Sequence, residues 1–79
     1  MEKIKIFIVG INRQQISLEV GLGETILNAK KKIGHTEKTQ WKCMGSVLHN
    51  DKTFDFYGIE QDDTITTNVR VNGGNILKK

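Results

Sequence analysis

The sequence predicts an α+β domain, in which short strands and a single helix pack together. One supporting observation is the alternation of apolar side chains from Lys3 to Val9, which is typical of a strand buried on one face. Another is a change of period further along, where Ile26, Ala29 and Ile33 recur at helical spacing. Several strands with one helix on a single face make a domain of the α+β class.

The N-terminal part predicts a hairpin. The first strand, Lys3 to Val9, is followed by Gly10 and Asn12, two residues that tolerate the backbone angles of a turn. A second run then places apolar side chains at every other position, Ile16, Leu18 and Val20. Two alternating runs joined by a short turn favour two antiparallel strands.

The helix predicted next has recognisable ends. Thr25 is a suitable N-cap, and Gly34 stands where a residue of left-handed conformation would end the helix. Three lysines at 30–32 fall in the last turn, where positive charge suits the helix dipole, and we expect them to form a solvated face. The polar segment 35–39 predicts a loop.

The second half predicts three more strands. Trp41 and Cys43 alternate with polar neighbours in a third strand, Gly45-Ser46 supplies a turn, and Val47-Leu48 forms a very short fourth strand.

An irregular helical turn is expected between Thr53 and Gly58. The last strand is expected from Thr64 to Val71, with Ile65 and Val69 pointing inward.

Composition limits the class of protein. The chain has 79 residues, enough for one small domain, and a net charge of +3. Its apolar runs are far shorter than the roughly 20 residues that span a bilayer, so no membrane association is expected. The one cysteine, Cys43, excludes an internal disulfide and favours a reducing compartment, the cytoplasm or the nucleus.

The chain offers little for catalysis. Cys43 shares a strand face with Trp41, which favours a buried packing role over a nucleophilic one. His35 and His49 lie in polar loops without the spacing of metal ligands, and we expect ordinary surface histidines. We therefore predict a protein that is not an enzyme and uses neither a cofactor nor a metal.

In order and spacing, these residues resemble the ubiquitin family. The similar segments cover nearly the whole chain: Ile6-Phe7, 16–20, Thr25-Ile26, Lys30, Lys32, Ile33, Gly45, Leu48, Thr53, 57–59, Thr64-Ile65, Arg70 and Gly73-Gly74. The resemblance implies a ubiquitin-like β-grasp fold, ββαββ plus a last strand, with one helix packed on a mixed sheet. It assigns residues 1–72 to the domain and 73–79 to a flexible di-glycine tail with a short C-terminal extension.

The resemblance also implies roles for three residues of the second half. The Tyr57 hydroxyl is expected to tie down the loop before it through a hydrogen bond to the backbone. Gly45 and Gly58 are expected to adopt left-handed backbone angles, which glycine does at little steric cost.

The glycine pair Gly73-Gly74 implies the function of a protein modifier. In modifiers of this family, a cysteine protease removes the residues after the glycines. Activating and conjugating enzymes then join the terminal glycine to lysines of target proteins. Arg70 and Asn72 match positions that the activating enzyme reads, although Asn72 replaces a basic residue. Lys30 and Lys32 match helix lysines of ubiquitin and are candidate sites for chain formation.

One surface departs from the family. Ile11, Lys42, Thr66 and Asn68 match the apolar patch that ubiquitin receptors contact, and only Ile11 is still apolar. Burying the Lys42 charge without a partner would cost several kcal/mol. We therefore expect a polar partner-binding face, with Phe7 exposed beside it, that ordinary ubiquitin receptors bind poorly.

Two other functions are compatible with the residues. The chain could be a ubiquitin-like domain of a larger protein that binds a partner without covalent attachment. It also has a basic ending, Ile76 to Lys79, similar to a tail that contacts RNA in one ubiquitin-like splicing subunit. Only two lysines follow the glycines, so nucleic acid binding is not expected. We expect a monomer that acts through protein partners.

Overall fold

Residues 2–71, the part of the chain that the computed structural model describes, contain five strands and one helix. The strands are β1 (Lys3–Val9), β2 (Gln15–Gly21), β3 (Trp41–Cys43), β4 (Ser46–Leu48) and β5 (Thr64–Thr67), and helix α1 (Ile26–Lys32) follows β2. The strands form one sheet in the order β2-β1-β5-β3-β4. Strand β5 runs parallel to β1, and the other pairs are antiparallel. This confirms the predicted α+β class, with one helix on a mixed sheet in the β-grasp arrangement.

Alternation decides which face of the sheet is buried. The apolar side chains on alternate positions of β1 and β2 are buried as predicted: Ile4, Ile6, Ile8, Ile16, Leu18 and Val20. Trp41 and Phe54 are fully buried in the same core, which also contains Ile26 and Ala29 of α1. The core is therefore continuous from the N-terminal hairpin to the second half of the chain.

The helix ends follow the prediction. The Thr25 Oγ1 accepts a hydrogen bond from the Asn28 N–H at 3.2 Å, so Thr25 is the N-cap. Gly34, directly after the C-cap Ile33, has a φ of 80°. Within residues 2–71, no helix is long and apolar enough to cross a membrane.

The predicted tyrosine contact and glycine conformations are present. The Tyr57 hydroxyl accepts a hydrogen bond from the His49 N–H at 2.8 Å, which ties down the segment after β4. Gly45 and Gly58 have φ values of 84° and 68°.

The turn between β3 and β4 differs from the prediction by one residue. Met44 and Gly45 form it, both with positive φ, and Ser46 already belongs to β4. Two consecutive residues with positive φ match the twist of a two-residue hairpin, and Gly45 accepts this conformation easily. Because Met44 sits at the tip of this turn, its side chain is exposed.

The prediction that the last strand continues to Val71 with Val69 inward was wrong. Strand β5 ends at Thr67, and Val69 is only half-buried. The Thr67 hydroxyl, itself buried, accepts a hydrogen bond from the Val69 N–H and donates one to the Val69 carbonyl. These local hydrogen bonds compete with strand pairing and bend the chain.

Gly10 allows the chain to return to the hairpin after this bend. A Cβ atom at Gly10 would lie 2.3 Å from the Val69 carbonyl oxygen and 2.7 Å from the Val71 nitrogen. The Val69 carbonyl instead accepts a hydrogen bond from the Ile11 N–H at 3.0 Å. The C-terminal segment can therefore pack against the first turn only because residue 10 has no side chain.

Candidate functional site

The four residues predicted as the core of a partner-binding face lie together around one concave surface. A groove of about 300 Å³ is lined by Ile11, Gln40, Lys42, Thr66, Thr67 and Asn68. We call this surface the sheet groove. It contains all four residues that match the apolar patch of ubiquitin. Gln40 and Thr67 also line it, and the sequence did not indicate them.

Strand register explains why these residues meet. Thr66 pairs with Lys42 of β3 on one side and with Val9 of β1 on the other. Because paired residues of adjacent strands point to the same face, Thr66 and Lys42 stand side by side on the solvent face of the sheet. Ile11 reaches the same place from the turn after β1.

Asn68 and Gln40 close the end of the groove. The Asn68 Oδ1 accepts a hydrogen bond from the Gln40 N–H at 3.1 Å. The Asn68 side chain thus joins the residues after β5 to those before β3, beyond the point where the pairing of the two strands ends. The contact of Gln40 with Asn68 spans 28 residues of sequence, so no local pattern could indicate it.

The sheet groove combines one cation with polar groups and a single exposed apolar side chain. Among the described residues, Lys42 is the only ionisable side chain that lines it, and 66% of the surface of Ile11 is exposed. A groove of this composition favours a partner that offers an acceptor or a carboxylate beside a small apolar contact.

Phe7 does not line the groove, and the prediction that it is exposed needs correction. Its ring is half-buried, and the Lys5 Nζ lies 5.4 Å from the ring centroid. Phe7 pairs with Ser17 and Thr64 across the neighbouring strands. Its ring is therefore partly covered, and Phe7 offers a smaller contact than expected.

Asn12 holds the last described residue of the domain. The Asn12 Nδ2 donates a hydrogen bond to the Val71 carbonyl at 2.8 Å, and the Val71 N–H donates one to the Asn12 Oδ1 at 3.2 Å. Val71 is buried, and Arg70 just before it is exposed. The other predicted residues of the conjugation site, Asn72, Gly73 and Gly74, lie outside the described residues.

The two candidate chain lysines have different environments. Lys32 is 41% exposed and its Nζ forms an ion pair with Glu24 at 2.7 Å. Burial alone would raise the pKa of Glu24, but the hydrogen bonds and charge of its partners, Lys32 first, hold that pKa below its usual value. Lys30 is only 2% exposed, and its Nζ lies 2.6 Å from the Asn50 Oδ1.

The expected solvated face of three lysines is therefore wrong for Lys30. Helical geometry turns Lys30 towards the segment after β4, because residues 26, 29, 30 and 33 share the buried side of α1. An amine in this position does not project from the surface of the domain, as an amine that is to be joined to another chain must. Of the two candidates, the structure leaves Lys32 accessible.

His35 is also different from the ordinary surface residue that was predicted. Its Nδ1 accepts a hydrogen bond from the Trp41 Nε1 at 3.1 Å, and the two rings meet edge to face. Partial burial, and then the charge of Lys30, lower the pKa of His35. Its neutral form is the one that can accept the tryptophan N–H.

Cys43 occupies the packing role expected from the sequence. It is buried in the core, and burial, together with the charge of Asp63, raises the pKa of its thiol. A raised pKa disfavours the thiolate, the form that reacts as a nucleophile. Across residues 2–71, His, Cys, Asp and Glu side chains form no group of three that could hold a metal ion.

Comparison with known proteins agrees with the geometry. The family model described as the ubiquitin family matches residues 6–72, which is most of the chain. No curated protein matches the sequence. The mixed five-stranded sheet, the single helix and the family match lead to one conclusion, that this chain belongs to the ubiquitin family.

Proposed function

We propose that this protein is a ubiquitin-like modifier precursor that is processed after Gly74 and conjugated through that glycine to lysines of target proteins. The observation that carries the proposal is the position of the glycine pair in relation to the folded domain. Asn12 anchors Val71 with two hydrogen bonds, and Gly73 and Gly74 follow in sequence after one intervening residue. In sequence, the glycine pair thus begins two residues after Val71.

Glycines at this point suit the chemistry. Activating enzymes and processing proteases must admit the chain into narrow channels, and residues without a Cβ atom pass where others would clash. Exposed Arg70 offers a cation close to this segment for recognition by an activating enzyme. The buried state of Cys43 supports a role in which the protein is a substrate of such enzymes and is not itself a catalyst.

The composition of the sheet groove supports partners other than ordinary ubiquitin receptors. An apolar helix docked on this groove would bury the Lys42 ammonium among Thr66, Asn68 and Ile11. Within residues 2–71, no carboxylate lines the groove to pair with that charge. Desolvation of an unpaired ammonium opposes binding by several kcal/mol, which favours a partner with an acidic group at the matching position.

The second candidate function is a ubiquitin-like domain that binds a partner without covalent attachment. The sheet groove favours this alternative, because such a surface can act whether or not the glycines are used. The two candidates make different predictions about covalent products.

The deciding experiment is a denaturing immunoblot from the cells of origin, with the protein tagged at its N-terminus. The modifier proposal predicts a ladder of heavier bands that disappears in a Gly74→Ala variant. An Asn75→Ala variant is the matched control, because the residue lies beyond the proposed cleavage point, and its ladder should persist. A single heavier band of fixed mass, unchanged by Gly74→Ala, would instead support a domain of a longer chain.

A further inference from the structure

A second cavity lies beside α1. Of its described lining residues, it shares only Gln40 with the sheet groove. It has a volume of about 190 Å³ and is open to solvent on one side. Its walls come from Lys30 of α1, the loop before β3, the end of β4 and the segment 49–50. This volume accommodates a small ion together with water molecules.

The buried ammonium of Lys30 is the unusual feature of this cavity. Lysine is almost never buried without a partner of opposite charge. Within the described part of the chain, the one recorded ion pair joins Lys32 to Glu24 and leaves Lys30 with a neutral acceptor, the Asn50 Oδ1. An ammonium has three N–H donors, so this single acceptor uses only part of its capacity. Burial lowers the pKa of Lys30, as expected for a charge without full compensation.

The acceptor of Lys30 is fixed in place. The Asn50 Nδ2 donates a hydrogen bond to the Glu37 carbonyl at 3.0 Å, which holds the amide in one orientation. Asn50 therefore directs its oxygen at Lys30 and lines the same cavity. This arrangement positions the ammonium at the wall of the cavity without neutralising it.

The rest of the lining leaves an excess of positive charge. Lys38 adds a second cation, while Glu37 is the one carboxylate among the lining residues. His49 and Gln40 contribute further polar side chains. A cavity with two ammonium groups, one of them desolvated, and one acidic residue at its wall attracts an anion.

We propose that this cavity binds a small oxyanion, a phosphate or a carboxylate, which accepts hydrogen bonds from the donors that Lys30 leaves unused. The oxyanion supplies the negative charge that the fold does not place beside Lys30. Binding at this site is independent of the glycine pair, so it holds whether or not the protein is conjugated.

The test is a titration of the protein with inorganic phosphate or with acetate at pH 7, at an ionic strength held constant with chloride, followed by two-dimensional amide NMR. We expect saturable shifts of the amides that line the cavity, including Lys38 and Asn50. A Lys30→Met variant, which keeps the aliphatic stem, should weaken binding at least about tenfold. A Lys31→Met variant removes the same charge from the exposed side of α1 and should change affinity less than about twofold.

A second variant keeps the proposal testable if Lys30→Met does not fold. Asn50→Asp places a carboxylate beside Lys30 and should also weaken binding of an external anion at least about tenfold. Saturation by phosphate alone, or by acetate alone, identifies which oxyanion the site takes. Shifts that never saturate, or that are equal in the Lys30 and Lys31 variants, would overturn the proposal.

Discussion

Replacement of Asn12 by alanine should detach the C-terminal segment from the first turn. Two hydrogen bonds join the Asn12 side chain to the backbone of Val71, at 2.8 and 3.2 Å. Each such bond contributes about 0.5–1.5 kcal/mol to stability. Because Val71 is buried, its backbone groups lose their partners in a site that water does not readily enter, and we expect a total loss of about 1–3 kcal/mol.

The assay is urea denaturation followed by the fluorescence of Trp41, the single tryptophan of the chain and a fully buried one. Asn12→Asp separates the two contacts, because the carboxylate still accepts from Val71 but cannot donate to its carbonyl. Because its second carboxylate oxygen faces the Val71 carbonyl oxygen in place of a donor, Asn12→Asp should also lose stability, whereas the Val71 amide should stay protected. Exchange of the Val71 amide hydrogen should accelerate in the alanine variant, since that N–H loses its acceptor.

Asn28→Ala is the matched control. Asn28 is exposed on α1, and within the described part of the chain its side chain bonds with Glu24 alone, so the change in stability should stay within about 0.5 kcal/mol. If Asn12→Ala costs no more than this control and the Val71 amide exchanges as slowly as before, Asn12 does not anchor the C-terminal segment. The support that this contact gives to the modifier proposal would then be lost.

Two further predictions concern His35 and Lys42. The folded state lowers the pKa of His35 below its usual 6.5, so its stabilising contact with Trp41 is fully present above about pH 6.5 and is lost as the pH falls through the lowered value. Stability should decline by no more than about 2 kcal/mol between pH 6.5 and pH 5, because protonated Nδ1 cannot accept from Trp41. His35→Gln should remove most of this slope in urea titrations, and an equal slope in both proteins would contradict the assignment. Lys42→Ile should strengthen binding of a helical ubiquitin-binding peptide at least about tenfold by calorimetry, because an unpaired charge is no longer buried beside Ile11. Lys3→Ile, the same change in charge at the far end of β1, should have no such effect, and equal gains in both variants would argue for a general charge effect.

The sequence was most informative where structure depends on close neighbours. The alternation in β1 and β2, the Thr25 N-cap and the left-handed Gly34 each depend on a few adjacent residues, and all were predicted correctly. The residues of the sheet groove were reached differently. No local pattern in the sequence marks them as a surface. They were predicted from the positions that they match in the ubiquitin family, and the register of the sheet then placed them side by side.

Several errors occurred where a polar side chain satisfies a distant or competing partner. Thr67 lies inside the predicted strand 64–71, yet its hydroxyl bonds to the backbone of Val69 and ends β5. His35 was assigned to a polar loop, but the Trp41 indole that approaches it gives its ring a fixed partner. Hydrophobic periodicity does not report such contacts, because they depend on the hydrogen-bonding geometry of single side chains.

By itself, then, the sequence determined the class of fold, the order of the elements and the identity of most of the core. Alternating apolar residues form a local pattern, and they are all buried only when that one face of the strand packs on the core. Only the tertiary structure decided the environment of particular polar groups. Lys30 looks like its neighbours Lys31 and Lys32 in the sequence, and only the packing of α1 against the segment around Asn50 buries its ammonium. The cost of that burial is set by surroundings that lie 20 residues away along the chain.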